Sequence, residues 1–401
     1  VSGSPAHPTP LLILALGCLS ALGPLSLDLN LPALPEIASD LDASQALGQI
    51  TMSACLVGLA LGQLIVGPLS DRRGRRLPLL VGMAAYAGLS MLCAVAPSIS
   101  ALIVLRTAQG FAGAVGIVLA RAIVRDLFDG PEVARTLSLL MLVSGTAPLV
   151  APILGGQLLK IFDWRGLFVV LAALALFIAL LATTVIPESL PKEARHAGGL
   201  HAAASGFGRV FSDPLFSSAT LLLTLSGAAS FTYISVSSFV LQTGFSLTPE
   251  QFSFVFAGNS AGVVALGYLN AILVRRFPVR TLLVIAITVS FAGALGCVVG
   301  SATSRELWAL LIPLFVTIAG AAVAAPNATA LALSRQKRDA GTASAIIGMG
   351  PFLAGAALSP IALLAGASAL AMSTLMAALL LLAWIAGHFV DAIARRTPPA
   401  Q

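Results

Sequence analysis

Gly62-Gln-Leu-Ile-Val-Gly67-Pro-Leu-Ser-Asp71-Arg72-Arg73-Gly74-Arg75-Arg76 joins two long apolar runs through a short turn holding four arginines and one acid. The run before it (46–70) and the run after it (77–97) each reach the roughly 20 apolar residues that a membrane-crossing helix needs. The stretch therefore reads as a helical hairpin with its turn in water. Its glycines allow a tight turn and close helix approach. The arginines alone would set topology. Asp71 among them adds a second reading, a gate in which the carboxylate meets a helix N-terminus or bridges to an arginine. Gly67, Asp71, Arg72, Gly74 and Arg75 are the gating candidates.

The rest of the chain agrees with this hairpin. Of 401 residues, 58% are hydrophobic and 9% charged, against about 25% charged in an ordinary soluble domain. A soluble chain of this composition would expose large apolar patches. The net charge of +6 is dispersed along the chain rather than gathered for nucleic acid. The four cysteines lie in apolar stretches without a CxxC or Cys/His cluster, so neither disulfide nor metal site is expected.

Twelve apolar stretches can be marked: 11–34, 46–70, 77–97, 99–122, 136–159, 164–186, 216–241, 251–274, 279–301, 306–333, 340–366 and 369–391. The first is too long for a signal-peptide core. The longest polar break separates six spans from six. It predicts an N-terminal bundle over 1–186, a linker over 187–215 and a C-terminal bundle over 216–401. With both termini in the cytoplasm, 18 of the 22 basic residues fall on that side, as the positive-inside rule requires. Lys160, Arg165 and Arg305 fall opposite, and Arg106 lies within span four. Gly62-Gln-Leu and Gly267-Tyr-Leu, with Arg75 and Arg280, share one offset and hint at an internal repeat. The expected fold is all-α: twelve transmembrane helices in two six-helix bundles around a central cavity.

Ionisable groups inside a bilayer are costly and mark function by default. Asp28 and Arg106 are the two clear cases, each about 12 Å from the outer end of its span. They are expected to lie close together. Asp28 would be the proton carrier, its protonation responding to hydration and to the distance from Arg106. Gln109, one turn after Arg106, would touch substrate, orient Arg106 or bond another helix. In span five, Pro148, Pro152, Gly155 and Gly156 make either a gate or a packing kink. The C-terminal half has Pro313 at the position offset from Arg106 and offers only neutral polar groups. Asn30, Tyr233, Asn259 and Asn327, with Gln109, are the substrate-contact candidates, and Asn270 and Tyr268 are further polar groups.

The Gly62–Arg76 segment resembles the loop-two/three signature of the major facilitator superfamily. Arg106-Thr-Ala-Gln109-Gly110 is similar to its span-four signature, and Ala151-Pro152-Ile-Leu-Gly155-Gly156 to its antiporter motif. Pro24-Leu-Ser-Leu-Asp28-Leu-Asn30-Leu-Pro32, Arg125-Asp126-Leu-Phe and Ala340-Gly341-Thr-Ala-Ser resemble the bicyclomycin-resistance (Bcr/CflA) drug–proton antiporters, with Asn30 where Tyr is expected. The resemblance implies export of small, mainly neutral amphiphiles such as chloramphenicol- or bicyclomycin-like drugs against proton entry, with Asp28 titrating. It implies a multi-pass protein of the bacterial inner membrane, working as a monomer. No cofactor beyond the proton-motive force, no nucleic-acid partner and no catalysis are expected. The competing expectation is a proton symporter importing a nutrient or organic anion, with Arg106 as the anion site.

Overall fold

Each apolar run contains one long helix, and the runs 11–34 and 340–366 are broken near their ends. The computed structural model describes residues 9–128, 131–195, 208–304, 306–336, 340–364, 366 and 368–396. Part of the expected linker (196–207), and Arg305, Lys337 and Arg338 from the orientation argument, lie outside the described residues. The long helices are α1 (Pro10–Asp28), α2 (Gln45–Arg73), α3 (Arg76–Ala94), α4 (Ile99–Leu127), α5 (Pro131–Leu158) and α6 (Trp164–Val185). They continue as α7 (Pro214–Phe239), α8 (Pro249–Leu273), α9 (Val279–Thr303), α10 (Leu307–Leu333), α11 (Ala340–Leu358) and α12 (Ala369–Arg396). Among the described residues, eleven helical segments are long and apolar enough to cross a membrane. The twelfth long helix is α5, at the expected span 136–159.

One boundary differs from the expectation. Span one was read as helical to residue 34, but α1 stops at Asp28 and a 3₁₀ turn, Leu31–Ala33, precedes a short helix, Leu34–Asp40. The cause is Pro32, which has no N–H to give the Asp28 carbonyl. Pro35 withholds the next donor in the same way. Inside α1, Pro24 leaves the Ser20 carbonyl without its usual helical partner.

Contacts divide the chain into two units, Val1–Ala43 with Ala54–His201, and Ser44–Ser53 with Ala202–Gln401. Each unit repeats the same neighbours six helices apart. In the first, α1 packs on α4, α5 and α6, and α3 on α4 and α6. In the second, α7 packs on α10, α11 and α12, and α9 on α10 and α12. The interior of the second unit is built largely of alanine with Leu, Ile and Phe216. Small residues let helix backbones touch, the main source of helix association where lipid is as apolar as the side chains. A Cβ on Gly110 of α4 would strike the Cys55 carbonyl of α2, and one on Gly300 of α9 the Ala309 carbonyl of α10.

Candidate functional site

The first unit holds a buried cation at the place where α1 breaks. Arg106 is 2% exposed. Both ends of its guanidinium fork donate to the Ser26 carbonyl of α1, Nη1 at 3.3 Å and Nη2 at 3.2 Å. Nη1 also donates to Gln109 Oε1 at 2.7 Å. Gln109 Nε2 in turn donates to Ser90 Oγ of α3 at 2.7 Å, and Ser90 Oγ to the Tyr86 carbonyl at 2.8 Å. The Phe168 ring of α6 lies 5.4 Å from the guanidinium carbon, within cation–π range. Arg106 and Gln109 thus tie α1, α3, α4 and α6 together.

The chemistry follows from the helix break. The last carbonyls of a helix lack intrahelical donors and carry its negative dipole end. Arg106 supplies a charged donor there from another helix. Asn30 joins it, donating Nδ2 to the same Ser26 carbonyl at 3.1 Å. The Asn30 Oδ1 atom is buried and has no hydrogen-bond partner among the described residues, a state that normally calls for explanation.

Asp28 sits two residues beyond Ser26 and is 5% exposed. Arg106 was expected close to Asp28; among the described residues no ion pair joins them, and the guanidinium rests on Ser26. At about 100° per residue, side chains two positions apart point to nearly opposite helix faces. Ser26 Oγ lies 3.5 Å from Arg106, so the Asp28 side chain is directed to another side of α1. Gln109, a candidate for substrate contact, is 0% exposed and engaged at both ends of its amide by Arg106 and Ser90.

A second cluster builds the turn between α2 and α3. Arg75 donates to Asp71 Oδ1 at 2.6 Å, to Ser70 Oγ at 2.6 Å and to Asp126 Oδ2 of α4 at 2.8 Å. Of the two roles open to Asp71, the bridge to an arginine is the one formed. The helix N-terminus is met by a residue that sequence reasoning missed. Glu188, just past α6, accepts from the backbone N–H of Arg75 at 2.8 Å and of Arg76 at 3.4 Å. It also lies 3.5 Å from Arg195. Burial alone would push its carboxyl up; the N–H groups of Arg75, Leu190 and Arg76 and the Arg195 charge outweigh it and hold the carboxyl below its usual range. The signal available was an acid set between prolines in Pro187-Glu188-Ser189-Leu190-Pro191. Gly74 makes the turn possible, with φ +86° and Glu188 and Arg195 where a Cβ would be. Arg72 is exposed, and a Cβ on Gly67 would meet only Val118, at ordinary contact distance.

In α5, Pro148 and Pro152 lie inside the helix. A Cβ on Gly155 would strike the Leu29 carbonyl at the α1 break, while Gly156 is buried beside it. In the second unit, Asn259 Nδ2 donates to Tyr233 Oη at 2.8 Å, and Tyr233 stacks on Phe256 with centroids 5.4 Å apart. Asn327 Nδ2 donates to Asn270 Oδ1 at 2.8 Å and to the Val323 carbonyl at 2.9 Å. These amides bond helix to helix; Tyr268 is exposed.

The family model described as Major Facilitator Superfamily matches residues 16–360. The chain is 36% identical over 363 residues to an uncharacterized MFS-type transporter, YdgK, of Bacillus subtilis, covering 90% of each chain. It is 32% identical over 348 residues to a bicyclomycin resistance protein homolog of Haemophilus influenzae, covering 87% of each. Among solved structures, a bacterial homolog of the human lysosomal transporter Spinster, inward-facing and occupied, superposes with a TM-score of 0.73 at 16% identity, over 98% of each chain.

Proposed function

The chain belongs to the Major Facilitator Superfamily, and from that premise we propose that it is a proton-driven drug antiporter. It exports small, mainly neutral amphiphiles of the chloramphenicol or bicyclomycin kind by alternating access, from the bacterial inner membrane with both termini cytoplasmic. The drug-resistance name of the Haemophilus relative supports the substrate class. One observation carries the coupling: a buried carboxylate without an ion pair among the described residues, Asp28, sits where α1 breaks, next to a carbonyl held by a buried arginine.

Each part has a task. A charge buried in a bilayer is expensive, and protonation of Asp28 removes that cost. Broken helices are where transporters handle ions, because freed carbonyls line the break. Arg106 fixes the Ser26 carbonyl and so fixes the geometry of the break. A change in that grip would move Asp28 between wet and dry surroundings. Uptake of a proton outside and its release inside then exchanges with a drug bound at the same break. Exporting a neutral drug for one proton also moves one charge, worth about 2.3 kcal/mol per 100 mV.

The test is proton flux in proteoliposomes under an inward proton gradient, with chloramphenicol-type drugs added to wild type and Asp28→Asn. Drug-stimulated proton entry that disappears in D28N is the expected result. Drug movement indifferent to the gradient in wild type sinks the proposal. Proton entry together with inward drug movement would make the protein a symporter.

A further inference from the structure

Two adjoining grooves run along the outside of the first unit, and one end carries a cation. The first, about 230 Å³, lies among α2, α3 and α4 and is lined by Val66, Leu77, Val81 and Val115 with Arg73 at its end. The second, about 640 Å³, continues along the same helices past Leu61, Leu89 and Val104. Ala85, Phe111 and Ala112 line both. From Leu77 to Leu89 the path is about 18 Å along α3, close to the depth of one leaflet, about 15 Å of hydrocarbon.

The polar content of this path is small and specific. Thr107 is internally satisfied, its hydroxyl donating to the Ile103 carbonyl at 3.0 Å. Of the charges around it, Asp71 and Asp126 are engaged by Arg75 and Arg76 by the Thr183 carbonyl at 2.6 Å, while Arg72 is exposed but does not line the groove. Arg73 is exposed and has no ion pair among the described residues. Leu77 and Val81 are each 59% exposed, so this wall meets hydrocarbon. An apolar channel one leaflet deep, with one guanidinium among its lining residues, complements an acyl chain ending in an anionic headgroup.

We propose that this groove is a binding site for an anionic phospholipid, its headgroup on Arg73 and one acyl chain along Ala85 and Phe111. The second unit contains a built-in contrast. A groove of about 540 Å³ between α8 and α10, lined by Phe254, Trp308 and Phe315, has no charged residue. It gives no reason for headgroup preference.

The experiment is native mass spectrometry of the full chain released from detergent with equal phosphatidylglycerol and phosphatidylcholine. Wild type should retain phosphatidylglycerol about five-fold over phosphatidylcholine, the ratio that corresponds to about 1 kcal/mol per basic residue at a lipid surface. Arg73→Ala should remove the preference. Ala85→Phe, on an exposed helix face, should lower retention of both lipids by filling the groove. Arg275→Ala, an exposed arginine at the end of α8, should change nothing. No preference in wild type, an unchanged preference in R73A, or equal loss in R275A would each overturn the site. Transport activity plays no part in this readout, so it stands or falls apart from the antiport reading.

Discussion

The two units share a packing plan and differ in what they bury. Their helices touch in the same order, and both use glycines pressed against carbonyls of the neighbouring helix. The first buries a guanidinium and a carboxylate at a helix break; the second buries amides and hydroxyls. Where the first has Arg106, the second has Pro313 by the sequence offset. A repeated scaffold has thus kept its backbone solution while its chemistry separated. The buried charges at the α1 break belong to the first half, and the second half offers neutral polar contacts. The contrast is open to four direct tests.

The largest effect is expected at Arg106. Arg106→Ala strips the Ser26 carbonyl and the Gln109 amide of a charged donor in a buried place. Hydrogen bonds to charged groups contribute about 1.5–3 kcal/mol each. Thermal unfolding in detergent should show a loss of about 2–3 kcal/mol, and drug-driven proton flux should fall to background. Arg106→Lys keeps the charge without the fork and should recover folding better than flux. Wild-type flux in R106A would erase the distinction between the halves.

Next come the glycines, where the units should behave alike. Gly110→Ala in the first and Gly300→Ala in the second each place a methyl on a carbonyl of the facing helix. Overpacking of this kind costs about 1–3 kcal/mol. Gly258→Ala meets nothing within 4 Å and should leave the unfolding temperature unchanged. If G110A is damaging and G300A harmless, the packing repeat is not energetic.

Much of this arrangement is legible in the sequence, for identifiable reasons. Spans are written in composition, because a bilayer demands about 20 apolar residues at each crossing. The turn after α2 was legible because its arginines and acid are adjacent in the chain. The α1 break was also written there, in Pro32 and Pro35, yet an apolar run that continues through prolines hides it. Gln109 was legible as a group that could orient Arg106, one turn along the same helix, but the partners of Arg106 on other helices were not. They come from α1 and α6, and the principal one is a backbone carbonyl, which no side-chain pattern announces. Equal depth brought Arg106 and Asp28 to the same level but could not say which way each pointed. Glu188 escaped because its contact, 113 residues away in sequence, is to backbone N–H groups rather than to an arginine motif.

A smaller effect is expected at that contact. The folded protein holds the Glu188 carboxyl below its usual range. Its contribution is therefore present above the unfolded value, about 4.3, and is lost as pH falls through the lower folded value. Its side chain is 32% exposed, so solvent screening keeps the effect below about 1 kcal/mol. Unfolding temperature should drop between pH 7 and pH 3 in wild type, and Glu188→Gln should flatten part of that slope. An identical slope in both proteins would assign the acid sensitivity elsewhere.

The smallest effect belongs to the second unit, and it is where the comparison can be made sharpest. Asn327 and Asn270 form one amide–amide bond between α10 and α8. Interhelical bonds of this kind in membranes contribute about 0.6 kcal/mol on average. Asn327→Ala should cost about that much and leave proton flux intact. Removing both partners of a buried hydrogen bond can be nearly neutral, because no group is left stranded. The double variant N270A/N327A should therefore be no less stable than N327A. The matching double variant in the first unit, R106A/Q109A, should not recover, because the Ser26 carbonyl loses its charged donor and keeps only the neutral Asn30 amide when both side chains are gone. Rescue in the second unit without rescue in the first would mean that one half holds its polar groups as exchangeable fasteners. The other would hold them around a backbone break whose charged donor is Arg106.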